Sequence, residues 1–328
     1  MTVEGKMRVG VLGCSDIAKR KFIPALLQSE QACLTALGSR QQGSFSAGSG
    51  VTLPLLTYED LVSDPSVDLV YISLPNHLHE EWSIRALEQG KHVICEKPLG
   101  LSAASVERML AVAGNRGRFL FENLMYLQHP QHRAVQGLIR AGRIGRILAM
   151  KSEFAFPGPV DGDFRLDPVM GGGAFYDMNR YPLSAALFFL KGRSHRFLRG
   201  FSELRDGLIW SLQADSITDV SEEFSFQVAF GQPYRSFYEL RGERGVIRVE
   251  RAYTTPAEME NRITVTIEGR DESFRVPPGD HFLHTLDYVC GLIRSGQWGA
   301  EHEGMRTLAV LADMFHDKCI RRELAHGN

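Results

Sequence analysis

The chain has 328 residues, of which 44% are hydrophobic and 23% are charged, so it is a globular sequence long enough for more than one core. A net charge of -2 gives no electrostatic reason to expect nucleic acid or an anionic membrane as a partner. The expected ligands are therefore small molecules.

The five cysteines are scattered and odd in number, with no CxxC pair and no Cys/His cluster at the spacing of zinc ligands. This pattern predicts no metal site and fits a reducing compartment. No apolar stretch precedes the first predicted strand, and no later run has the length of a membrane span. We therefore expect a cytoplasmic protein with no membrane partner.

The first part of the chain alternates between strand and helix patterns, which predicts a parallel sheet with helices on both faces. Its candidate strands are apolar without alternation, as in strands buried on both faces, and they span residues 7–13, 33–38, 67–74, 92–95 and 119–121. The candidate helices span residues 16–29, 77–90 and 102–115. We predict an α/β Rossmann domain over residues 1–124, with a polar loop at 41–50.

From about residue 146 the apolar runs become longer, rich in β-branched and aromatic residues, and several alternate with period two. These strand patterns span residues 147–156, 222–230, 245–250 and 263–268. Helix patterns span residues 174–190, 280–295 and 302–322. We predict an α+β domain over residues 125–328, with a large, mainly antiparallel, open-faced sheet that binds the substrate and mediates oligomerisation.

The first predicted strand runs into a GxGxxA-type turn with serine at its middle position, Gly13-Cys-Ser-Asp-Ile-Ala18. Small residues here let backbone N–H groups at a helix N-terminus approach a pyrophosphate. The alternative is a structural turn without a ligand, but the first strand-to-helix turn of an alternating domain favours a dinucleotide site. The predicted binding residues are Gly13, Ser15, Asp16 and Ile17.

After the second strand, NAD sites carry an acidic residue for the ribose hydroxyls, whereas this chain has Ser39 and Arg40. A hydroxyl and a guanidinium can hold a 2′-phosphate that a carboxylate would repel. The alternative is a solvated arginine in a polar loop. The pattern favours NADP(H) over NAD(H).

Two further motifs lie at predicted strand ends, Leu74-Pro-Asn-His-Leu-His79 and Cys95-Glu-Lys-Pro-Leu99. Together with the glycine turn, they resemble the glucose-fructose oxidoreductase, inositol dehydrogenase and MocA family of NAD(P)-dependent oxidoreductases. The resemblance extends over essentially the whole chain through Phe164-Arg-Leu-Asp-Pro168, Gly171-Gly-Gly173 and Asp177-x-x-x-Tyr181. Glu122-Asn-Leu-Met-Tyr126 and His129-Pro-Gln-His132 look most like the family's NADPH-dependent keto-sugar reductases.

The resemblance implies roles for individual residues. It implies cofactor contacts by Leu74, Pro75, Asn76, His79, Glu96, Lys97 and Asn123. It implies a cis bond before Pro98 that aims Lys97 inward, a proton donor in Tyr181 and an orienting carboxylate in Asp177. By analogy with the family, Asp177 and Tyr181 contact the substrate. We also expect substrate contacts by Asn179 and Arg180, where Asn179 replaces the glycine that family members usually carry two residues after the aspartate, and by Arg165, which could bind a substrate phosphate.

The chemistry of these residues is consistent with those roles, although each has a simpler alternative. Reduction of a carbonyl needs a proton or a fixed positive charge at the developing alkoxide, which Lys97 could supply if it is not a solvated surface lysine. Asp177 and Tyr181 are four residues apart and would share one helix face. Tyr181 could instead belong to an aromatic core, Arg165 could simply pair with nearby aspartates, and His79 could cap a helix.

Three functions remain open on the sequence. The first is an NADPH-dependent reductase of a keto-sugar, with the 3-keto group of a nucleotide-linked deoxysugar as the expected substrate. The second is an NADP+-dependent dehydrogenase of a free sugar, polyol or dihydrodiol. The third is a non-catalytic regulator that senses NADP(H), which retention of both Lys97 and Tyr181 disfavours. For each we expect a homodimer or homotetramer formed through the C-terminal sheet.

Overall fold

The protein is described by a computed structural model that covers residues 5–41, 43–46, 52–192 and 194–323. Its contacts divide the chain into two compact units. The first comprises Met1–Gln128 and Asp280–Arg306, and the second comprises His129–Gly279 and Thr307–Asn328.

Every predicted strand and helix pattern appears in the described secondary structure, which also contains strands and helices outside the predicted spans. The end of the last predicted helix differs, because Ile320–Glu323 forms a strand. The strands are β1 (Met7–Leu12), β2 (Ala32–Gly38), β3 (Ser44–Ser46), β4 (Thr52–Leu56), β5 (Leu69–Ile72), β6 (His92–Cys95), β7 (Leu120–Glu122), β8 (Ile147–Phe156), β9 (His195–Arg205), β10 (Leu208–Thr218), β11 (Glu223–Phe230), β12 (Arg235–Gly242), β13 (Gly245–Glu250), β14 (Asn261–Ile267), β15 (Arg270–Val276) and β16 (Ile320–Glu323). The helices are α1 (Ile23–Gln28), α2 (Tyr58–Ser63), α3 (His79–Glu88), α4 (Ala103–Arg116), α5 (Pro130–Arg140), α6 (Ala174–Met178), α7 (Arg180–Phe189), α8 (His281–Ser295) and α9 (Gly299–Lys318).

The first unit is built on a seven-stranded sheet of order β3-β4-β2-β1-β5-β6-β7. Its strands pair in parallel except for β3, which runs antiparallel to β4. The central strands are buried on both faces, as their apolar composition predicts. The predicted Rossmann domain is confirmed. Because its strands other than β3 are parallel, their carboxyl ends lie along the same side of the sheet.

Three elements of the first unit differ from the prediction. Residues Ser44–Ser46 form an edge strand within the predicted 41–50 loop, of which residues 42 and 47–50 lie outside the described residues. Its partner β4 contains Pro54, and a proline within an apolar run argues against a strand when only the sequence is known. Helix α2 begins after Thr57, whose hydroxyl accepts from the Asp60 N–H at 3.0 Å and donates to the Asp60 carboxylate at 2.7 Å. The spacing of Thr57 and Asp60 is a helix-start signal in the sequence.

The predicted assignment of residues 125–328 to one domain also differs from the structure. Asp280–Arg306 belongs to the first unit, where Phe119 stacks on Trp298 and His302 at centroid distances of 5.6 and 5.7 Å. These side chains cover the edge strand β7, because Leu120 donates its N–H to His302 Nε2 at 3.4 Å. An amphipathic pattern identifies a helix but not the sheet on which it packs.

The second unit is built on a nine-stranded sheet of order β15-β14-β13-β12-β8-β11-β10-β9-β16. It is mainly antiparallel, with parallel pairs only between β8 and β11 and between β9 and β16 among the described residues. Helices α5, α6 and α7 pack on the sheet, and Phe315 of α9 packs edge-on against Phe226. The other face carries charged pairs such as Arg199 with Asp215, so the predicted open-faced sheet is confirmed.

The described ranges contain neither a helix suited to a membrane nor a cluster of metal ligands. None of their helices combines the length and the apolar character that a membrane crossing requires. None of their His, Cys, Asp and Glu side chains form a group of three or more that could hold a metal ion.

Candidate active site

The glycine turn follows β1 in a conformation that other residues adopt poorly. Gly13 has φ +98°, and a Cβ there would lie 2.9 Å from Leu74 Cδ2 and 3.2 Å from the Ser73 carbonyl oxygen. The Ser73 hydroxyl donates to the Gly13 carbonyl at 3.0 Å and ties the turn to the end of β5. Because Gly13 has no side chain, the space between the ends of β1 and β5 stays open.

The glycine turn leads into a π-helical turn, Ala18–Phe22, which continues directly into α1. The Ser15 hydroxyl accepts a hydrogen bond from the Ala18 N–H at 3.2 Å, at the start of this helical segment. Asp16 is exposed and Ile17 is half-buried. The absence of a side chain at Gly13 leaves room for a pyrophosphate, which backbone N–H groups at the start of a helical segment bind.

The end of β2 presents a hydroxyl and a cation rather than a carboxylate. Ser39 accepts a hydrogen bond from the Gln41 N–H at 3.0 Å, and Arg40 is exposed. Arg40 contacts Tyr58 of α2, where burial raises the pKa of the phenol and the guanidinium opposes that rise. These groups fit a 2′-phosphate. Tyr58 was missed in the sequence because α2 was missed.

Glu96 follows β6, and its side chain is fixed inside the first unit. Its Oε1 accepts from the Tyr71 hydroxyl and from the Asn123 amide, both at 2.6 Å. Burial raises the pKa of Glu96, while Tyr71, Asn123 and the adjacent Lys97 oppose the rise. Through these hydrogen bonds Glu96 and Asn123 stabilise the ends of the strands that they follow. The direct cofactor contacts expected of their side chains stay predictions.

Lys97 is half-buried at the carboxyl end of β6, and the Lys97–Pro98 peptide bond is cis, as expected. In the neighbouring loop Asn76 is buried, Pro75 is half-buried and Leu74 lies against Gly13. His79 is fully buried, and both of its ring nitrogens face backbone carbonyls. That burial argues against the predicted direct cofactor contact by His79.

In the second unit two of the predicted substrate residues, Arg165 and Asp177, form an ion-pair cluster with Asp163. Arg165 Nε lies 3.0 Å from Asp177 Oδ2, and its NH1 lies 3.1 Å from Asp163 Oδ2. Burial disfavours the Arg165 charge, but the two carboxylates outweigh it and the pKa of Arg165 is raised. Of the two alternatives left open by the sequence, pairing with aspartates is therefore observed.

Tyr181 lies on α7, four residues after Asp177 on α6, and is 5% exposed. Its ring packs edge-on against Phe154 of β8 at 4.9 Å and beside Tyr253 at 5.4 Å. Helix α6 ends and α7 begins at Asn179, which itself has helical dihedral angles. The two helices are not continuous because Pro182 has no N–H to donate to the Met178 carbonyl.

Asn179 and Arg180 are both buried. Neither amide atom of Asn179 has a hydrogen-bond partner among the described residues. Two positions away from Asp177 and Tyr181, Asn179 lies on the other side of the helix. A substrate contact by either residue stays a prediction.

Within the first unit, the structure brings together the predicted residues of four strand ends, those of β1, β2, β5 and β6. Within the second unit, it brings together Arg165 and Asp177. Asp163 is one of the aspartates expected beside Arg165, whereas the supporting residues Tyr58, Tyr71 and Ser73 were not predicted. Ser73 directly precedes the Leu74 motif at the end of an apolar strand, and Tyr58 lies within the helix-start signal of Thr57 and Asp60.

Comparisons with known proteins cover both units. Residues 7–124 match the family model described as an oxidoreductase family with an NAD-binding Rossmann fold, and residues 132–248 match the GFO/IDH/MocA C-terminal domain. The chain is 35% identical over 296 residues to the dTDP-3,4-didehydro-2,6-dideoxy-alpha-D-glucose 3-reductase of Actinomadura kijaniata, covering 89% of each chain. It is 30% identical to D-xylose 1-dehydrogenase (NADP(+)) 2 of Haloferax volcanii, covering 89% of this chain and 90% of the relative.

A solved structure gives the same result. The 3-ketoreductase from Actinomadura kijaniata in complex with NADP and TDP-benzene superposes with a TM-score of 0.91 at 32% identity, covering 98% of this chain and all of the other. The two family matches, the relatives above 30% identity and this fold likeness agree with the geometry of both units. The chain therefore belongs to the GFO/IDH/MocA family of oxidoreductases.

Proposed function

We propose that the protein is an NADPH-dependent ketoreductase that reduces the 3-keto group of a nucleotide-linked deoxysugar. The observation that carries this proposal is that half-buried Lys97, directly after β6, follows the same ends of the parallel strands as the Gly13 turn after β1. The substrate class is supported by four relatives of 32 to 35% identity that are all dTDP-3,4-didehydro-2,6-dideoxy-alpha-D-glucose 3-reductases.

NADP(H) is the cofactor that the residues favour. Ser39 and Arg40 fit a 2′-phosphate, and Gly13 leaves room for the pyrophosphate. Leu74, Pro75 and Asn76 border the same edge of the sheet. The bound cofactor would supply the hydride.

The chain itself would handle the proton and the charge. The Lys97 ammonium stabilises the negative charge that develops on the carbonyl oxygen. The Tyr181 phenol would donate its proton to that oxygen. Asp177, held by Arg165, orients the substrate hydroxyl or the lysine.

The test is NADPH oxidation with a TDP-linked 3-keto-deoxysugar, followed by identification of the alcohol product. Lys97→Met should abolish turnover while NADPH still binds, and Lys318→Met on the exposed end of α9 should leave turnover unchanged. Wild-type rates in Lys97→Met would refute the assigned chemistry.

A second candidate is an NADP+-dependent dehydrogenase of a free sugar. The similarity to the D-xylose dehydrogenase of Haloferax volcanii favours it. The ratio of kcat/KM values for the nucleotide-linked keto-sugar and for free sugars or dihydrodiols separates the two candidates. Tight NADP(H) binding without turnover of either class would favour a non-catalytic regulator instead.

The charged outer face of the nine-stranded sheet is the proposed oligomer interface, in a homodimer or homotetramer. On it Glu153 is 9% exposed between Lys151 at 2.8 Å and Arg235 at 3.4 Å, and Arg248 covers the ring of Phe237 at 3.9 Å. Ion pairs and a cation–π contact on one face provide both charges and an aromatic ring, which are suited to contacts with the same face of a second copy. Sedimentation equilibrium should give a dimer or tetramer mass, and Glu153→Arg should lower it.

The proposed location is the cytoplasm. All five cysteines are free thiols, which a reducing compartment preserves. Fractionation of cells that express the tagged full chain tests this location.

A further inference from the structure

The ring of His79 connects two loops of the first unit. His79 is fully buried at the start of α3. Its Nδ1 lies 2.7 Å from the Pro98 carbonyl oxygen, and its Nε2 lies 2.8 Å from the Leu74 carbonyl oxygen. Both nitrogens therefore face backbone oxygens at hydrogen-bonding distance.

The two carbonyls belong to the loops that border the proposed cofactor site. Leu74 begins the loop after β5 and contacts the position of a Gly13 Cβ, and Pro98 directly follows Lys97. With both nitrogens directed at backbone and no surface exposed, the ring has no polar atom available for substrate or cofactor. His79 can act on the reaction only through these loops.

We propose that His79 is a positioning residue, which holds the Lys97 ammonium in place by fastening the Lys97–Pro98 segment to the Leu74 loop. This proposal rests on the proposed function, in which Lys97 is the catalytic cation. Displacing a catalytic group by about 1 Å can lower a rate by about two orders of magnitude. The rigid ring lies between the two carbonyls and donates to at least one of them, which restricts such displacement.

The chemistry of imidazole suits this task. A neutral ring donates one hydrogen bond and a protonated ring donates two, whereas a phenyl ring of similar shape donates none. Burial lowers the pKa of His79, the carbonyls of Pro98 and Leu74 oppose this, and the nearby Lys97 and His77 add to the lowering. Lys97 and His79 are thus close enough for the charge on one to influence the other.

The closing experiment compares His79→Phe and His79→Gln with His77→Gln, an exposed neighbour in the same motif. His79→Phe keeps the ring volume without a donor, and His79→Gln keeps donor capacity through its amide NH2 group. At saturating NADPH, kcat should fall at least about tenfold in His79→Phe and recover partly in His79→Gln. The Kd of NADPH should stay within about threefold, because the phosphate-binding turn is untouched, and His77→Gln should match the wild type.

A second readout needs no sugar. Competitive acetylation followed by mass spectrometry measures the pKa and reactivity of the Lys97 amine, which should change in both His79 variants and not in His77→Gln. Unchanged Lys97 reactivity and kcat in folded His79→Phe, or in His79→Gln if His79→Phe does not fold, would overturn the proposal. If the wild type reduces no keto-sugar, the proposed function fails, while Lys97 labelling still decides the role of His79.

Discussion

Arg165 and Asp177 form an ion pair in the second unit, with Nε 3.0 Å from Oδ2. The predicted substrate arginine and the predicted orienting carboxylate therefore neutralise each other before any substrate binds. Asp163 shares the same guanidinium at 3.1 Å. This cluster fixes the Asp177 carboxylate at the end of α6, near the helix face that carries Tyr181.

Asp177→Asn should destabilise the fold by about 1–2 kcal/mol, because it leaves a largely buried guanidinium with one carboxylate fewer. Chemical denaturation measures this, and a double-mutant cycle with Arg165→Met should give a coupling energy above about 0.5 kcal/mol. Glu80→Gln, which breaks the more exposed Glu80–Arg108 pair, is the control and should cost less than about 1 kcal/mol. Strict additivity in the cycle would contradict the pairing.

Tyr181→Phe should lower kcat by about two to four orders of magnitude, because the proton donor is lost. The fold should be unaffected, since the ring contacts with Phe154 and Tyr253 remain. Stopped-flow measurement of NADPH oxidation gives the rate. Tyr176→Phe on the preceding helix serves as the control, and equal rates in both variants would remove Tyr181 from the mechanism.

Arg40→Gln should weaken NADPH binding by about tenfold to a hundredfold, the value of one or two charge-assisted hydrogen bonds. NADH binding should not change, because NADH lacks the 2′-phosphate. Fluorescence titration measures both constants. Arg116→Gln at the end of α4 is the control, and an equal loss of NADH affinity would mean that Arg40 supports the loop rather than the phosphate.

Gly13→Ala should destabilise the fold by about 1–3 kcal/mol and abolish cofactor binding. The new methyl group meets Leu74 at 2.9 Å, and alanine adopts a φ near +98° poorly. Gly114→Ala on α4 is the matched control, because its methyl group would enter open space and should stabilise the helix by up to about 1 kcal/mol. Thermal denaturation with and without NADPH compares them.

His92 makes the first unit sensitive to acid. Burial, aided by Arg118, lowers the pKa of His92 from 6.5 to about 4, and its Nδ1 accepts the Phe119 N–H at 3.0 Å. The pKa of His92 is lower in the folded protein than in the unfolded chain. The stability that neutral His92 contributes is therefore complete above pH 6.5 and is lost as the pH falls towards 4.

The loss should be roughly 2 kcal/mol, since the ring is only partly buried. In His92→Asn an amide oxygen can accept from Phe119 without titrating. Urea denaturation at pH 7 and pH 4.5 should therefore give a smaller difference in unfolding free energy for His92→Asn than for the wild type. An equal difference in the two proteins would exclude His92 as the cause.

Much of the first sheet could be predicted, because strands buried on both faces need unbroken apolar runs such as that of β5. Pro54 concealed β4, and the helix-start signal at Thr57 and Asp60 was overlooked. The large sheet of the second unit was predictable from its alternation of apolar and polar residues. The unit to which α8 belongs was not, since its apolar stripe would suit either sheet.

The sequence by itself determined the strand ends at which Gly13, Arg40 and Lys97 lie, because local patterns fix where a strand stops and a helix begins. Only the tertiary structure decided that His79 faces two carbonyls, that Asn123 holds Glu96 and that Arg165 is paired with Asp177. Those contacts join residues that are distant in the sequence or turned inward by packing. Residue spacing in the sequence does not predict these contacts. The partner of a side chain depends on which residues surround it in the folded protein, not on its neighbours along the chain.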